Sequence, residues 1–237
     1  MTLTGKTAVI SGASRGLGRQ LALALAGRGV HLHLIARGRE QLAAVAARAS
    51  ALGVSCNALV CDLADAQAVT AVAERVRAHG EVDILINNAG LGFYKPFVEH
   101  SSAEHDAVID VNLRAPVLLT RLLLPDMLAR GSGHIVNIGS DLAARTIPNM
   151  VVYTATKFAL RGFTLSLAQE VRSRGIQVSL VNPGIIDSGF NNAVEGSRHA
   201  ADALQPDQLA ALVVMVLEQP EQQMIDEITV HPQMQAY

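Results

Sequence analysis

The sequence has few of the features that mark secreted, membrane-spanning or nucleic-acid-binding proteins. Its 237 residues include no tryptophan and two cysteines, and the formal net charge of −2 comes without any block of like charges. Such a charge distribution gives little support for binding to nucleic acid or a membrane surface. No uncharged apolar run reaches the ~18 residues of a transmembrane helix, and the first residues lack a signal peptide's apolar run and cleavage site. We therefore expect a soluble cytoplasmic protein.

The two cysteines, Cys56 and Cys61, lie in one apolar segment. If this segment is a strand, their spacing puts the two side chains on opposite faces, so a disulfide between them is not expected. We interpret both as buried thiols of a protein in a reducing compartment.

Short β-branched runs alternate with longer segments rich in Ala and Leu that have helical spacing. This alternation predicts parallel strands joined by helical crossovers. The strand segments are continuously apolar, as is typical of strands covered on both faces. We predict one doubly wound α/β domain over residues 1–237, with helices on both faces of a seven-stranded parallel sheet. The predicted strands are 7–11, 30–36, 55–62, 82–87, 134–140, 176–182 and 226–232, and the predicted helices are 15–28, 39–52, 65–79, 102–130, 153–174 and 206–218.

A glycine-rich turn follows the first predicted strand. Its sequence, SGASRGLGRQ, contains Gly12, Gly16 and Gly18 and leads into the first predicted helix. In a doubly wound sheet a pyrophosphate rests at this place on the N–H groups of the helix terminus. Glycine allows the tight turn and the close approach of the backbone. The spacing of these glycines differs from the dinucleotide-binding fingerprint G-x-G-x-x-G. We therefore predict a dinucleotide site from the position of the turn, directly after the first strand of a repeating β/α chain.

The end of the second predicted strand indicates which dinucleotide is bound. Cofactors without a 2′-phosphate usually meet an acidic residue there. Here Ala36 takes that place, Arg37 follows it, and Arg15 lies in the glycine turn. Two guanidinium groups can hold a phosphate. We therefore expect a preference for NADP(H) over NAD(H). The missing acid also disfavours an S-adenosylmethionine methyltransferase.

Further motifs follow in a fixed order along the chain. They are CDL at 61–63, NNAG at 87–90, Asn112 within the next helix, Ser140 after strand five, YTATK at 153–157 and NPG at 182–184. The whole chain resembles the short-chain dehydrogenase/reductase family in these motifs and their order. Two departures are Ser188, where the family often has Thr, and the C-terminal ITVHPQMQAY, which lacks the glycine-rich ending of the family's fatty-acid-type reductases.

The resemblance implies a role for each matching residue. No metal site is expected, because His31 and His33, which share one face of strand two, have no carboxylate or cysteine at a ligand spacing. It implies that Asn112, Ser140, Tyr153 and Lys157 form a catalytic tetrad. The residues that it places around the cofactor, together with Arg37, are Gly12, Ser14, Arg15, Gly16, Leu17, Gly18, Asp62, Leu63, Asn88, Ala89, Gly90, Tyr153, Lys157, Pro183, Gly184, Ile186 and Ser188.

The tyrosine–lysine pair also suggests acid–base catalysis on chemical grounds, independently of the family resemblance. A phenol titrates near pH ~10, so it needs a shift of roughly 3 pH units to act near neutrality. Tyr153 and Lys157 share one face of a helix, and a nearby cation favours the phenolate. Tyr153 is then able to give its proton to a carbonyl oxygen as hydride arrives from the nicotinamide, while Ser140 orients that oxygen.

Asn112 carries a second expectation that rests on a neighbouring proline. Pro116 has no N–H, so in a regular helix the carbonyl of Asn112 loses its partner. That carbonyl is then free to hold a water, and the family resemblance implies a proton relay through it. The alternative is that Pro116 only bends the helix.

The segment 185–205 occupies the place of the family's substrate lid. Its small residues fit a mobile cover. The predicted helices 153–174 and 102–130 pack against a partner subunit in the family, so we expect a homodimer or homotetramer. Asp141 and Asp187 each have a functional and a structural interpretation, and both stay open.

The leading function is an NADP(H)-dependent reductase of ketones or aldehydes that also works as an alcohol dehydrogenase. A narrower alternative is a reductase of 3-oxoacyl thioesters. An alternative of another class is an NADP(H)-binding sensor or interaction protein without turnover, although binding alone does not require Ser140, Tyr153 and Lys157 together.

Overall fold

The computed structural model describes residues 2–235, which form one sheet of seven parallel strands with helices on both faces. The strand order is β3-β2-β1-β4-β5-β6-β7, with every neighbouring pair parallel. Within residues 2–235, no helix is both long and apolar enough to span a bilayer. The strands are β1 Thr7–Ser11, β2 His31–Ala36, β3 Cys56–Val60, β4 Ile84–Asn87, β5 Gly133–Ile138, β6 Ile176–Pro183 and β7 Glu227–Val230.

Seven α-helices connect and cover these strands in the described part of the chain. Helix α3 begins at a genuine cap, because the Asp65 carboxylate accepts the N–H groups of Gln67 and Ala68. Ser101 and Glu104 form a reciprocal capping box at the start of α4. The helices are α1 Gly16–Ala26, α2 Arg39–Ser50, α3 Ala66–Ala78, α4 Ser102–Ile109, α5 Ala115–Arg130, α6 Val151–Val171 and α7 Pro206–Leu217.

The sequence-based prediction of a seven-stranded, doubly wound parallel sheet is confirmed. Two separate groups of buried apolar side chains pack on the two faces of the sheet, as continuous apolar strands require. Cys56 borders one group and Cys61 belongs to the other, so their side chains do lie on opposite faces. Both are free thiols, but Cys56 is only half-buried, because β3 is an edge strand.

The helix predicted over 102–130 is interrupted. Asp110–Arg114 forms one π-helical turn between α4 and α5, in which the N–H of Ala115 donates to the carbonyl of Asp110. Pro116 then occupies the first turn of α5, where a missing N–H costs least. The chain therefore accommodates Pro116 by a change of helix type. Single π turns of this kind occur frequently at functional sites.

The glycine turn after β1 is packed so tightly that side chains would not fit. Gly12 and Gly16 have positive φ angles of 68° and 51°. A Cβ on Gly18 would lie 2.1 Å from the carbonyl oxygen of Gly12. These glycines therefore let the start of α1 sit directly against the end of β1.

The carboxyl ends of β1 and β4 are fastened together by one hydroxyl group. The Oγ of Ser11 accepts the backbone N–H of Asn88 at 3.0 Å and that of Ala89 at 3.1 Å. The Asn88 amide in turn donates to the carbonyl of Ser11 at 2.9 Å. This bracing fixes the NNAG segment beside the glycine turn.

The close packing of Gly18 leads to the first prediction. We expect Gly18→Ala to lower the free energy of unfolding by about 1–3 kcal/mol, because the added methyl overlaps the Gly12 carbonyl. Gly162→Ala is the matched control, since Gly162 lies on the exposed side of α6 with no heavy atom within 4 Å of its added Cβ. That change should raise stability by about 0.5–1 kcal/mol. Urea unfolding followed by circular dichroism checks both, and equal effects would contradict the packing argument.

Candidate active site

A cleft of about 1100 Å³ runs along the carboxyl ends of the strands. Its lining includes the residues that directly follow six strand ends, as expected for a ligand site in this kind of sheet. Every residue that the sequence predicts for the cofactor or for catalysis lines this cleft, with the exception of Asn112.

One end of the cleft lies at the glycine turn and the end of β2. Arg15 and Arg37 are both exposed and both line it, together with Ala36, which is buried. Asp62 lies further along this end, where its carboxylate accepts the N–H of Ala64 at 3.1 Å. The residues at this end offer two cations and one carboxylate that is already engaged by the backbone. The two cations favour an anionic ligand at this end of the cleft.

The other end of the cleft holds the residues predicted to be catalytic, Ser140, Tyr153 and Lys157. The Ser140 hydroxyl hydrogen-bonds the phenol of Tyr153 and also donates to the Asp141 carboxylate at 3.0 Å. The ring of Phe190 packs edge-on against the ring of Tyr153, with centroids 5.4 Å apart. The phenol and the serine hydroxyl thus share one location beside an apolar wall.

Lys157 is almost fully buried, with 3% of its surface exposed. Its Nζ donates to the carbonyl of Ile138 at 2.9 Å and lies 5.5 Å from the centroid of the Tyr153 ring. Because α6 is regular here, the two side chains are on one helix face, as the spacing predicts. The hydrogen bond to the Ile138 carbonyl thus keeps the ammonium group beside the Tyr153 ring.

Asn112 is fully buried and acts on the backbone. Its Oδ1 accepts the N–H of Leu91 at 2.8 Å, and its Nδ2 donates to the carbonyl of Leu91 at 2.8 Å. The same Nδ2 donates to the Oγ1 of Thr156 at 3.2 Å. Asn112 therefore ties the segment after NNAG to helix α6, between Tyr153 and Lys157. This side-chain role was not predicted from the sequence, and the expected water at the Asn112 carbonyl stays a prediction.

Burial controls the acidity of the catalytic pair. It raises the pKa of Tyr153 to about 12, a change that the hydrogen bond from Ser140 opposes and the negative charge of Asp141 increases. Burial also lowers the pKa of Lys157 to about 8. The sequence indicates only the effect of the lysine charge, which favours the phenolate. In the folded protein the phenol is a weaker acid than this charge alone predicts, because burial disfavours the phenolate.

Asp141 is the site residue whose importance the sequence showed least clearly. It is buried next to Ser140, and its carboxylate forms an ion pair with Arg145. The amide of Gln235 donates to the same carboxylate at 2.6 Å, and its oxygen accepts the N–H of Ile185 at 2.9 Å. The adjacency of Asp141 and Ser140 was the one signal available, because Gln235 is distant in sequence.

Part of the segment 185–205 lines the cleft, between Ile185 and Arg198. Glu195 forms an ion pair with Arg19 of α1 at 2.5 Å, which anchors the segment next to the glycine turn. The Asp187 carboxylate accepts the N–H of Gly196 at 3.0 Å. This contact gives Asp187 a structural role within the segment. Ser188 lies near the glycine turn, with its Cβ 3.2 Å from the position of a Cβ on Gly16.

Comparisons with known proteins agree with this geometry. The family model described as short chain dehydrogenase matches residues 6–199. A 3-oxoacyl-[acyl-carrier-protein] reductase of Escherichia coli is 34% identical over 201 residues, which cover 84% of this chain and 81% of that protein. A metagenomic short-chain oxidoreductase solved in complex with NADP is 38% identical with a TM-score of 0.87, covering 99% of this chain and 100% of that one. An alcohol dehydrogenase of Thermococcus sibiricus, solved with 5-hydroxy-NADP, is 31% identical with a TM-score of 0.92, covering 98% of both chains.

The fold and the cleft define a dinucleotide-binding α/β protein with a tyrosine, a lysine and a serine at one end of its site. The family model covers more than half of the chain, and the chain belongs to the short-chain dehydrogenase family of oxidoreductases.

The burial of Lys157 generates a prediction about stability and pH. Its pKa is about 8 in the folded protein and close to the ordinary 10.5 in the unfolded chain, so the unfolded chain binds more protons between these values. The contribution of Lys157 to stability should therefore rise as pH increases from about 8 to 10. The Cys56 and Cys61 thiols, whose pKa is raised by burial to about 11, act in the opposite sense above about pH 9. Lys157→Met removes the cost of burying the charge, and we expect it to gain about 1–3 kcal/mol at pH 7 and to lose the rise that Lys157 contributes.

Urea unfolding at several pH values checks this prediction. Lys6→Met is the control, because Lys6 is near the surface with 24% of its side chain exposed. It should leave the slope between pH 8 and 10 in place. A stability difference between the wild type and Lys157→Met that stays constant from pH 8 to 10 would contradict the assignment of a buried charge.

Proposed function

We propose that the protein transfers hydride between NADP(H) and a carbonyl or alcohol substrate, acting as a ketone or aldehyde reductase. The observation that supports this most directly is the cluster of Tyr153, Ser140 and Lys157 at one end of a cleft whose other end carries Arg15 and Arg37. A phenol that hydrogen-bonds a serine hydroxyl beside a buried ammonium group is suited to delivering a proton to a carbonyl oxygen.

The proposed chemistry divides between the cofactor and the chain. When bound, reduced NADP supplies the hydride. Ser140 orients the substrate oxygen, and Tyr153 donates the proton that this oxygen takes up. The charge on Lys157 stabilises the phenolate that remains, in opposition to burial. Asn112 holds Leu91 and α6 in place through three hydrogen bonds, and we assign it the support of a proton relay to Lys157.

The cofactor residues proposed from the sequence form a continuous path along the cleft. Close approach of a pyrophosphate to the turn is possible because Gly12, Gly16 and Gly18 have no side chains, and the braced NNAG segment supplies a floor. Ser14, Leu17, Leu63, Ala89 and Gly90 extend this surface, and Pro183, Gly184, Ile186 and Ser188 border the nicotinamide end. Preference for NADP(H) rests on Arg15 and Arg37.

The substrate end of the cleft has an apolar wall. Leu91, Ile147, Met150 and Phe190 line it near Tyr153. Of the three aromatic residues after NNAG, Tyr94 lines the cleft, whereas Phe93 and Phe97 pack against His100 and His105. We propose a substrate with an alkyl or aryl group beside its carbonyl, covered by the segment 185–205 as a lid.

A second candidate is a reductase of 3-oxoacyl thioesters. The similarity to the Escherichia coli 3-oxoacyl-[acyl-carrier-protein] reductase favours it. The apolar wall near Tyr153 is compatible with an acyl chain.

We further propose that the protein works in the cytoplasm as a homodimer or homotetramer. Helix α6 leaves Val151 and Phe158 exposed, with 50% and 44% of their surfaces accessible, and Ile109 at the end of α4 is 38% accessible. Large apolar side chains exposed close together often mark a surface that binds another chain.

The proposed reaction is tested by following NADPH absorbance with ketones, aldehydes, quinones and 3-oxoacyl thioesters. We expect turnover with at least one class, and we expect Tyr153→Phe to lower kcat about 10²- to 10⁴-fold, because the proton donor is lost. NADPH binding, measured by fluorescence, should remain in the variant. If NADPH binds and no class of carbonyl is reduced, the sensor interpretation replaces the enzyme.

Cofactor preference is tested by a pair of arginine variants. Arg37→Ala should weaken NADP⁺ binding about 10- to 100-fold and leave NAD⁺ binding nearly unchanged, because an ionic hydrogen bond to the 2′-phosphate is lost. Arg39→Ala is the matched control, since Arg39 is exposed at the start of α2 and is not part of the cleft lining. Calorimetric titration with both nucleotides measures the effect. Equal wild-type affinities for NADP⁺ and NAD⁺ would refute the preference.

A further inference from the structure

Three arginines that line the cleft have no ionic partner in the described part of the chain. Arg15, Arg37 and Arg198 are exposed, and within residues 2–235 their guanidinium groups form no ion pair or hydrogen bond. The protein as a whole has a formal net charge of −2, so a generally basic composition does not explain these cations. Guanidinium groups without a protein partner favour an anionic ligand. Arg15 and Arg37 belong to the proposed cofactor site, whereas Arg198 has no role in it.

Arg198 belongs to the segment 185–205, whose two ends are joined. The N–H of Asp187 donates to the carbonyl of Leu204 at 2.9 Å, and the N–H of Leu204 donates to the carbonyl of Ile185 at 2.8 Å. These bonds form a short parallel bridge directly after β6. The residues between the two ends therefore form a closed loop beside the carboxyl end of that strand.

Contacts within this loop place Arg198 near the glycine turn. Ser188 lies against the turn, with its Cβ 3.2 Å from the position of a Cβ on Gly16. The adjacent Asp187 accepts the N–H of Gly196 at 3.0 Å through its carboxylate. Arg198 follows Gly196 by two residues, so the Cα atoms of these two residues are at most ~7.6 Å apart. Since Arg198 also lines the cleft, it does so on the side of the glycine turn.

The neighbouring carboxylates of the loop are engaged elsewhere. Glu195 pairs with Arg19 at 2.5 Å, and Arg19 lies in the first turn of α1, directly after Gly18. The carboxylate of Asp187 is held by the backbone of the loop. The first contact fastens the loop to the helix that begins at the glycine turn, and both contacts leave the charge of Arg198 available to a ligand.

We propose that Arg198 is a cofactor-binding residue carried by the lid, and that its guanidinium group binds the diphosphate of the dinucleotide. A diphosphate is expected at the glycine turn, where it rests on the N-terminus of α1. A guanidinium group on the lid then gives the same diphosphate charge-assisted hydrogen bonds from the opposite side. This inference rests on the dinucleotide site of the proposed function, and it makes the lid part of that site.

Two other anions belong to other places in the cleft. The 2′-phosphate of NADP(H) is expected at the end of β2, beside Arg37. An acidic group on the substrate would accompany a carbonyl that has to reach Tyr153. The diphosphate is the anion expected next to Gly16, and the loop contacts bring Arg198 to this place.

The test is a calorimetric titration with three nucleotides that carry different phosphates. NADP⁺ has the diphosphate and the 2′-phosphate, NAD⁺ has the diphosphate alone, and 2′-AMP has the 2′-phosphate alone. We expect Arg198→Ala to weaken the binding of NADP⁺ and of NAD⁺ by the same factor, about 10- to 100-fold, because a charge-assisted hydrogen bond to the diphosphate is lost. Binding of 2′-AMP should stay unchanged, which also shows that the variant is folded.

Three further variants separate this role from a general effect on the loop or on charge. Arg198→Lys keeps a positive charge and should restore part of the lost affinity for both dinucleotides. His199→Ala is the control for the loop, since His199 is the exposed neighbour of Arg198 and is not part of the cleft lining. Arg48→Ala is the control for the loss of one positive charge, because Arg48 is exposed on α2 and also lies outside the lining. Both controls should bind all three nucleotides as the wild type does.

The possible results assign the ligand of Arg198. Unchanged binding of NADP⁺ and NAD⁺ by Arg198→Ala overturns the proposal and leaves an anion on the substrate as the alternative. A loss confined to NADP⁺ and 2′-AMP overturns it in favour of the 2′-phosphate. Equal weakening of all three nucleotides, or the same losses in His199→Ala, would indicate a disturbed fold or loop and count against the proposal.

Because binding needs no turnover, these results are separate from those of the reductase assay. A wild type that binds neither dinucleotide would refute the proposed function and this inference together. A wild type that binds NADP⁺ and reduces no carbonyl would refute only the proposed reaction, and the comparison of Arg198→Ala with the wild type would still decide the role of the lid.

Discussion

The parallel direction of all seven strands is the constraint on which the site depends. Since every strand ends at the same edge of the sheet, the turns that follow six of them meet in one cleft. The glycine turn, the NNAG segment and Ser140 come from distant parts of the sequence and become neighbours for this reason alone. Because strands covered on both faces are mostly apolar, the candidate site residues lie at the strand ends and on α6.

At that edge, several buried polar groups have hydrogen-bond partners supplied by the backbone or by other side chains. The buried ammonium of Lys157 has the carbonyl of Ile138, and the amide of Asn112 has the backbone of Leu91. Ser140 is held on its backbone side as well, since its N–H donates to Asn182, which donates in turn to Glu227. Each of these contacts is a stabilising interaction for an otherwise costly buried group, and each also fixes the position of a candidate site residue.

Much of the fold was predictable because it follows from local patterns. Apolar runs mark the strands, and observed bounds such as Thr7–Ser11 and Ile176–Pro183 agree closely with the predicted ones. The glycine turn was predictable for the same reason. The π turn at Asp110–Arg114 was not, because Pro116 indicates a disturbed helix without showing which helix type results. The side chain of Asn112 within this turn pairs with residues 21 and 44 positions away, and these partners were not predictable either. Long-range pairing of this kind leaves no periodic signal in the sequence.

The candidate site divides in the same way. The order of the motifs predicted that the tyrosine, lysine and serine lie in one site. The pKa values of Tyr153 and Lys157 depend on burial, which the sequence does not show. The partners of Asp141 include Gln235, which is 94 residues away and carries no recognisable motif. Arg145 lies four residues from Asp141, yet a pair at this spacing is common on surfaces, and only burial makes it notable here.

The contacts of Gln235 have a practical consequence for handling the protein. This amide contacts both Ile185 and Asp141, which line the cleft, so an affinity tag or fusion partner joined after Gln235 would start beside the cleft. The chain before Thr7, by contrast, enters the sheet at the amino ends of the strands, on the far side from the cleft. An affinity tag is therefore better placed before Thr7. A tag placed after Gln235 could disturb the contacts of Gln235 and so change the measured kinetic constants.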